Sequence, residues 1–176
     1  MAIPSGTRIG HVHLKVADID RALEFYCGVL GFELMQRFGP GAAFISAGGY
    51  HHHIGLNTWE SLGGRPPDPG TTGLYHLAIL YPTRADLGRA LKSLIHHEVQ
   101  LDGAADHGVS EALYLRDPDQ NGVELYWDRP KEQWPRSADG GIAMYTRALD
   151  LEGLLRAADD VEDTAPRVGE GPLDLA

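Results

Sequence analysis

Hydrophobic and polar positions alternate through residues 9–16, Ile-Gly-His-Val-His-Leu-Lys-Val, with Val12, Leu14 and Val16 on one face and His11, His13 and Lys15 on the other. A period of two is the pattern of a half-buried strand. The period then lengthens: Ala22, Phe25, Tyr26, Val29 and Leu30 fall on one side of a helix predicted over 19–30. Asp18 is placed to cap its first turn, and Gly31 to end it in a left-handed conformation. Strands are predicted over 32–38 and 42–47, divided by Gly39-Pro40-Gly41, and over 51–58 after Gly48-Gly49. The first part of the chain thus reads as strand, helix and three strands.

A Gly- and Pro-rich linker at 59–73 follows, and then the pattern restarts. A strand at 74–80 carries His76. A helix over 83–97, capped by Thr83, presents Leu87, Ala90, Leu91, Leu94 and Ile95 to one side, and a strand comes near 99–101. The last two strands form a hairpin about Asp117-Pro118-Asp119-Gln120-Asn121-Gly122, where Pro118 presets one backbone angle and Gly122 is expected to take a positive φ. Leu113 and Leu115 face one way and Tyr114 and Arg116 the other; beyond the turn, Val123, Leu125 and Trp127 oppose Glu124 and Tyr126. The expected fold is α+β: two tandem βαβββ modules, about 8–58 and 74–128, forming one domain (8–130) around a shared cleft. A C-terminal extension, 131–176, contains Trp134-Pro135 as a possible anchor, a short helix at 151–158 capped by Asp150, and an acidic stretch from 159 expected to be mobile or to lie on a neighbouring subunit.

Composition narrows the classes. The chain has 176 residues, 43% of them hydrophobic, which suffices for a sizeable core, and no apolar run approaches the ~20 residues of a membrane span. One cysteine, Cys27, precludes an internal disulfide, and the opening Met-Ala-Ile-Pro lacks the apolar core of a secretory leader, so the expected compartment is the cytoplasm. A net charge of −10 opposes nucleic-acid binding. The oddity is nine histidines, three of them consecutive at 51–53.

Glu124 sits among Val, Leu, Tyr and Trp, where an unpaired carboxylate is costly; it needs a proton, a cation or a metal. His11 and His76 occupy matching first strands of the repeat, 65 residues apart. Two imidazoles and a carboxylate on one concave surface would make a facial triad that leaves coordination positions open. His13 shares the face of His11 and competes for that role; His76 follows Leu74-Tyr75 as His11 follows Ile9-Gly10, which favours His11.

These residues carry a resemblance to the vicinal oxygen chelate superfamily (glyoxalase, bleomycin resistance protein, dioxygenase), and within it to extradiol dioxygenases of the catechol 2,3-dioxygenase type. "GHVHLKVADIDRALEFYCGVLGFEL" resembles the superfamily's opening strand and helix, "LYHLAI" its second ligand strand and "DPDQNGVELYW" its third. The spacing His107, Tyr114, Asp117-Pro118, Glu124 resembles the extradiol pattern, departing from it at Ala105 and Gln120. The resemblance spans about 8–130. It implies a curved mixed sheet around a central metal cleft, Fe(II) or Mn(II) on His11, His76 and Glu124, and a catechol-type aromatic diol cleaved with O2.

It further implies a catalytic histidine at His52, or at His51 or His53 with a one-residue slip, and hydrogen bonds from His107 and Tyr114 to substrate oxygens. The strand position that supplies a fourth ligand in glyoxalase-like members is Gly55 here, which cannot ligate. Tyr126, Trp59 and His13 are candidates to line the substrate pocket. A homodimer or larger assembly is expected by the same resemblance. The alternatives on the same scaffold are a glyoxalase-like isomerase, an antibiotic-modifying thiol transferase, and a metal-free binding protein of the bleomycin-resistance kind.

Overall fold

The computed structural model describes residues 2–162. The helix expected to end at 158 continues to Glu162, taking in the first four residues of the acidic stretch expected to be mobile, and the rest of that stretch lies outside the described residues. Two modules follow one another. The first runs β1 (Val12–Lys15), α1 (Ile19–Leu23), β2 (Glu33–Phe38), β3 (Ala42–Ser46) and β4 (Ile54–Asn57). The second runs β5 (Leu77–Leu80), α2 (Arg84–His96), β6 (Leu101–Asp106), β7 (Ser110–Arg116) and β8 (Gly122–Asp128). Each module builds a mixed sheet, in the orders β1-β4-β3-β2 and β5-β8-β7-β6, the first and last strands of each module pairing in parallel. The C-terminal extension adds a ninth strand, β9 (Arg147–Ala148), against β6, and a helix, α3 (Leu151–Glu162).

The caps act as their residue types require. Asp18 accepts from the Arg21 amide at 2.9 Å, Thr83 accepts from the Asp86 amide, Asp150 accepts from the Gly153 amide, and Gly31 takes φ 82°. The first helix is α-helical only to Leu23; Glu24–Val29 is a π-helical turn, with the Leu30 amide reaching the Phe25 carbonyl. The wider turn buries the adjacent Phe25 and Tyr26 together. Strand ends are shorter than the alternation predicts: β1 begins at Val12, β4 at Ile54 and β5 at Leu77, so His11, His51–His53 and His76 all precede their strands. The strand expected near 99–101 runs instead from Leu101 to Asp106.

One core joins the modules. Leu14, Val16, Ile45 and Leu56 of the first sheet meet a cluster with Leu113, Leu115, Val123 and Leu125 of the second. Each such side chain, fully buried, contributes about 1.5–3 kcal/mol. Helix α3 closes over α2 where Gly88 allows it: a Cβ there would lie 2.4 Å from the Leu154 carbonyl oxygen. Among the described residues no helix is long and apolar enough to cross a membrane.

The hairpin turn is also the fastening between modules. Asp117 is buried and accepts at Oδ1 from the Asp119 and Asn121 amides, and at Oδ2 from the Tyr26 hydroxyl (3.0 Å) and the Asn121 side chain (2.8 Å). Asp119 accepts from the Ala17 amide and from Arg21. Asp117→Asn places an amide N–H against the Asn121 donor and is expected to lower stability by about 2 kcal/mol. A urea melt measures the loss; an unchanged midpoint would refute the fastening.

The expectation for the turn glycine is corrected. Gln120, not Gly122, takes the left-handed conformation, with φ 65°. Gly122 is a strand residue whose missing Cβ admits the incoming chain, since a Cβ there would lie 2.2 Å from the Tyr75 carbonyl oxygen. A left-handed non-glycine residue costs about 1–2 kcal/mol, and glycine's extra chain entropy gives part of that back. Gln120→Gly should therefore raise stability by roughly 0.5–1 kcal/mol, read as a higher thermal midpoint.

Candidate active site

The register of the second sheet gathers three polar groups. Tyr114 on β7 and Glu124 on β8 are direct antiparallel partners, and so project from the same face while Leu113 and Leu125 enter the core. His76 ends the segment leading into β5, held against β8 by the close approach that Gly122 allows. His76 Nε2 and Glu124 Oε2 stand 2.8 Å apart. The Tyr114 hydroxyl reaches Glu124 Oε1 at 3.3 Å and His107 Nε2 at 2.7 Å. Burial, then the charge of Glu124, pushes the Tyr114 phenol up to about 12, so it keeps its proton at neutral pH.

His107 belongs to the turn between β6 and β7, and its other nitrogen is held from the C-terminal extension. Nδ1 lies 3.2 Å from the Tyr145 carbonyl oxygen and 3.2 Å from the Thr146 hydroxyl. The Tyr114 hydroxyl has one proton, which it gives to the Glu124 carboxylate in the contact at 3.3 Å or to a His107 Nε2 lone pair, the latter in the tautomer that donates from Nδ1 to the Tyr145 carbonyl. A cavity of about 400 Å³ opens beside this chain, lined by His76, His107, Tyr114, Tyr75, Leu115, Val123 and Thr146 among others.

A second cavity, about 710 Å³, lies between the modules. His11, His53 and His76 line it together with Tyr126, Val12 and Ile79. His76 thus borders both spaces. Burial, then Asp128 and Glu124, raises the Tyr126 phenol above its ordinary range.

The first module's histidines divide. His53 lines the intermodular cavity, its Nδ1 2.9 Å from the Ser46 hydroxyl. His52 turns instead to His11, with ring centroids 4.4 Å apart, and its Nδ1 meets His51 Nδ1 at 2.8 Å. Desolvation, then the neighbouring imidazoles of His11, His51, His13 and His53, hold His52 below the ordinary histidine range. His13 lies over Gly55, its partner in the β1–β4 register, and stacks on exposed Trp59. A Cβ at Gly55 would come within 2.5 Å of the His13 ring, so the glycine leaves space for an imidazole.

The donor set suits a divalent ion. Two cis ligands about 2.1 Å from one ion stand about 3 Å apart, and His76 Nε2 and Glu124 Oε2 already have that spacing. His11 faces the same cavity as His76. Its donor atoms, however, gather with those of His13 and His52.

Of the residues singled out by sequence, His76, Glu124, His107 and Tyr114 come together, and His11 and Tyr126 border the adjoining cavity. His13, His52 and Trp59 line neither cavity. Sequence reasoning missed Tyr75, Tyr145 and Thr146. The last two lie in the extension, whose strand β9 is two residues long and carries no periodic signal.

A profile of the Glyoxalase/Bleomycin resistance protein/Dioxygenase superfamily matches residues 8–125. A catechol-2,3-dioxygenase of Bacillus subtilis is 43% identical over 165 residues, covering 93% of this chain and 56% of that protein. A biphenyl-2,3-diol 1,2-dioxygenase of Rhodococcus globerulus is 32% identical over 69% of this chain and 63% of its own length. The chain therefore spans somewhat over half the length of these relatives. The crystal structure of a glyoxalase/dioxygenase from Nostoc punctiforme shares the fold, with TM-score 0.60 and 20% identity over 74% of this chain and 98% of that one.

Proposed function

Because the chain belongs to the glyoxalase/bleomycin resistance protein/dioxygenase superfamily, we propose that it cleaves the ring of a catechol-type aromatic diol beside the two hydroxyls. Both atoms of O2 enter the product, a hydroxymuconic semialdehyde-like acid. The observation that carries this reading is the chain Glu124–Tyr114–His107 beside His76, open to a cavity of about 400 Å³. The names of the relatives, a catechol and a biphenyl-diol dioxygenase, support it.

Fe(II), or Mn(II), would be held by His11, His76 and Glu124, and when bound it supplies adjacent open positions for the diol and O2. The rest falls to the chain. The exposed Tyr75 ring offers an aromatic wall to the substrate ring. Tyr114 and His107 share a proton between Oη and Nε2 that can be directed at an oxygen on which charge develops. The Tyr145 carbonyl and Thr146 keep the His107 ring in one orientation. The proton-accepting role expected of His52 passes in this proposal to His53, which lines the cavity shared by His11 and His76.

Anaerobically Fe(II)-loaded protein, mixed with a panel of catechols in air, should consume oxygen and form a yellow product. Bound iron with neither signal across a broad panel would refute ring cleavage by this chain.

A further inference from the structure

The first module carries a cluster that the ring-cleavage reading does not absorb. His11, His13 and His52 each offer a nitrogen, and these atoms all lie within 4.8 Å of one another. Among the described residues they are the one group of three His, Cys, Asp or Glu side chains so close. We propose that they form a three-imidazole site for a borderline divalent ion, Zn2+ in the first instance, which competes with the His76–Glu124 pair for the single free nitrogen of His11.

Three further observations point to a ligand. His52 Nε2 is buried and has no hydrogen-bond partner, which is costly for a polar atom unless something occupies its lone pair. His52 Nδ1 is held by His51; when His52 donates that proton, Nε2 is the free donor atom, the arrangement usual in metal-binding histidines. His13 is fixed from two sides, by the space over Gly55 and by Trp59, while the Asn57 side-chain amide meets Nδ1 at 3.4 Å. Tetrahedral ligands about 2.05 Å from an ion stand roughly 3.4 Å apart. The atoms farthest apart must therefore close by up to about 1.4 Å, a rotation open to the exposed His11 ring. Three neutral imidazoles and an open fourth position suit Zn2+ or Co2+ better than Mg2+ or Ca2+, which prefer oxygen.

The test titrates Co2+ into the full chain, read by visible absorption and calorimetry. In a His76→Ala, Glu124→Ala background, one Co2+ should still bind with the wild-type affinity of this site. Adding His13→Gln and His52→Gln should weaken it roughly 100-fold. Thermal melts of the metal-free variants check the fold. Independently, Zn2+ added to the wild-type chain should shift the side-chain 15N resonances of His11, His13 and His52 together. Loss of all Co2+ binding in the His76/Glu124 variant overturns the proposal, as does unchanged binding after the two further substitutions or Zn2+ shifts confined to His76. Failure of the catechol assay leaves these readouts untouched, so the two proposals fail separately.

Discussion

Replacing Glu124 with alanine is expected to reduce oxygen uptake with catechols to background and to weaken Fe(II) binding at least about 100-fold. Both Glu124 oxygens are engaged, one beside His76 Nε2 and the other by the Tyr114 hydroxyl. Alanine removes the only carboxylate of the proposed triad and leaves His76 beside an empty space. Glu124→Gln separates charge from shape: it should fold as the parent does, keep the Tyr114 contact and still fail to hold iron. Iron content after gel filtration, together with oxygen-electrode rates, measures both effects. A Glu124→Ala protein that retained iron and turnover would show that the metal is held elsewhere.

His107→Ala should produce the opposite dissociation, with iron retained and turnover reduced by about 10²–10⁴-fold. His107 is bonded not to the proposed ligands but to Tyr114, 2.7 Å away, and through it to Glu124. Its loss removes the group that takes or gives the proton at Nε2 and frees the Tyr114 hydroxyl to turn wholly to Glu124. Tyr114→Phe, which deletes one oxygen and keeps the ring, should reproduce part of the loss without altering iron content. Full activity in His107→Ala would make the spacing from His107 to Tyr114 to Glu124 a coincidence of sequence.

The two carboxylates of the last hairpin show where reading the chain alone runs out. Glu124 stands out because Val123, Leu125 and Trp127 surround it in sequence. Glu111 is the more buried of the two in fact, at 5% exposed. It is structural, because Arg84 and Arg129 meet its two oxygens at 2.7 Å. Those arginines come from α2 and from the segment after β8, and Arg129 also holds Asp106. A charge compensated from elements far away in sequence gives no local sign of it.

The sequence by itself determined what depends on near neighbours. Its change of period from two to helical and back placed both βαβββ modules, and Asp18, Thr83 and Gly31 marked helix ends because capping is a contact within one turn. The face that Tyr114 and Glu124 take on their strands was legible too, from the period-two pattern, but their cross-strand pairing came from the register of the hairpin. Tertiary structure alone decided the rest. It moved the left-handed residue from Gly122 to Gln120, because Gly122 is needed where the chain before His76 presses on β8. It brought Tyr145 and Thr146 to His107 from an extension without periodic pattern. It also gathered His11 with His13 and His52, because β1 pairs with β4 and so brings the residue before β1 beside the segment that leads into β4.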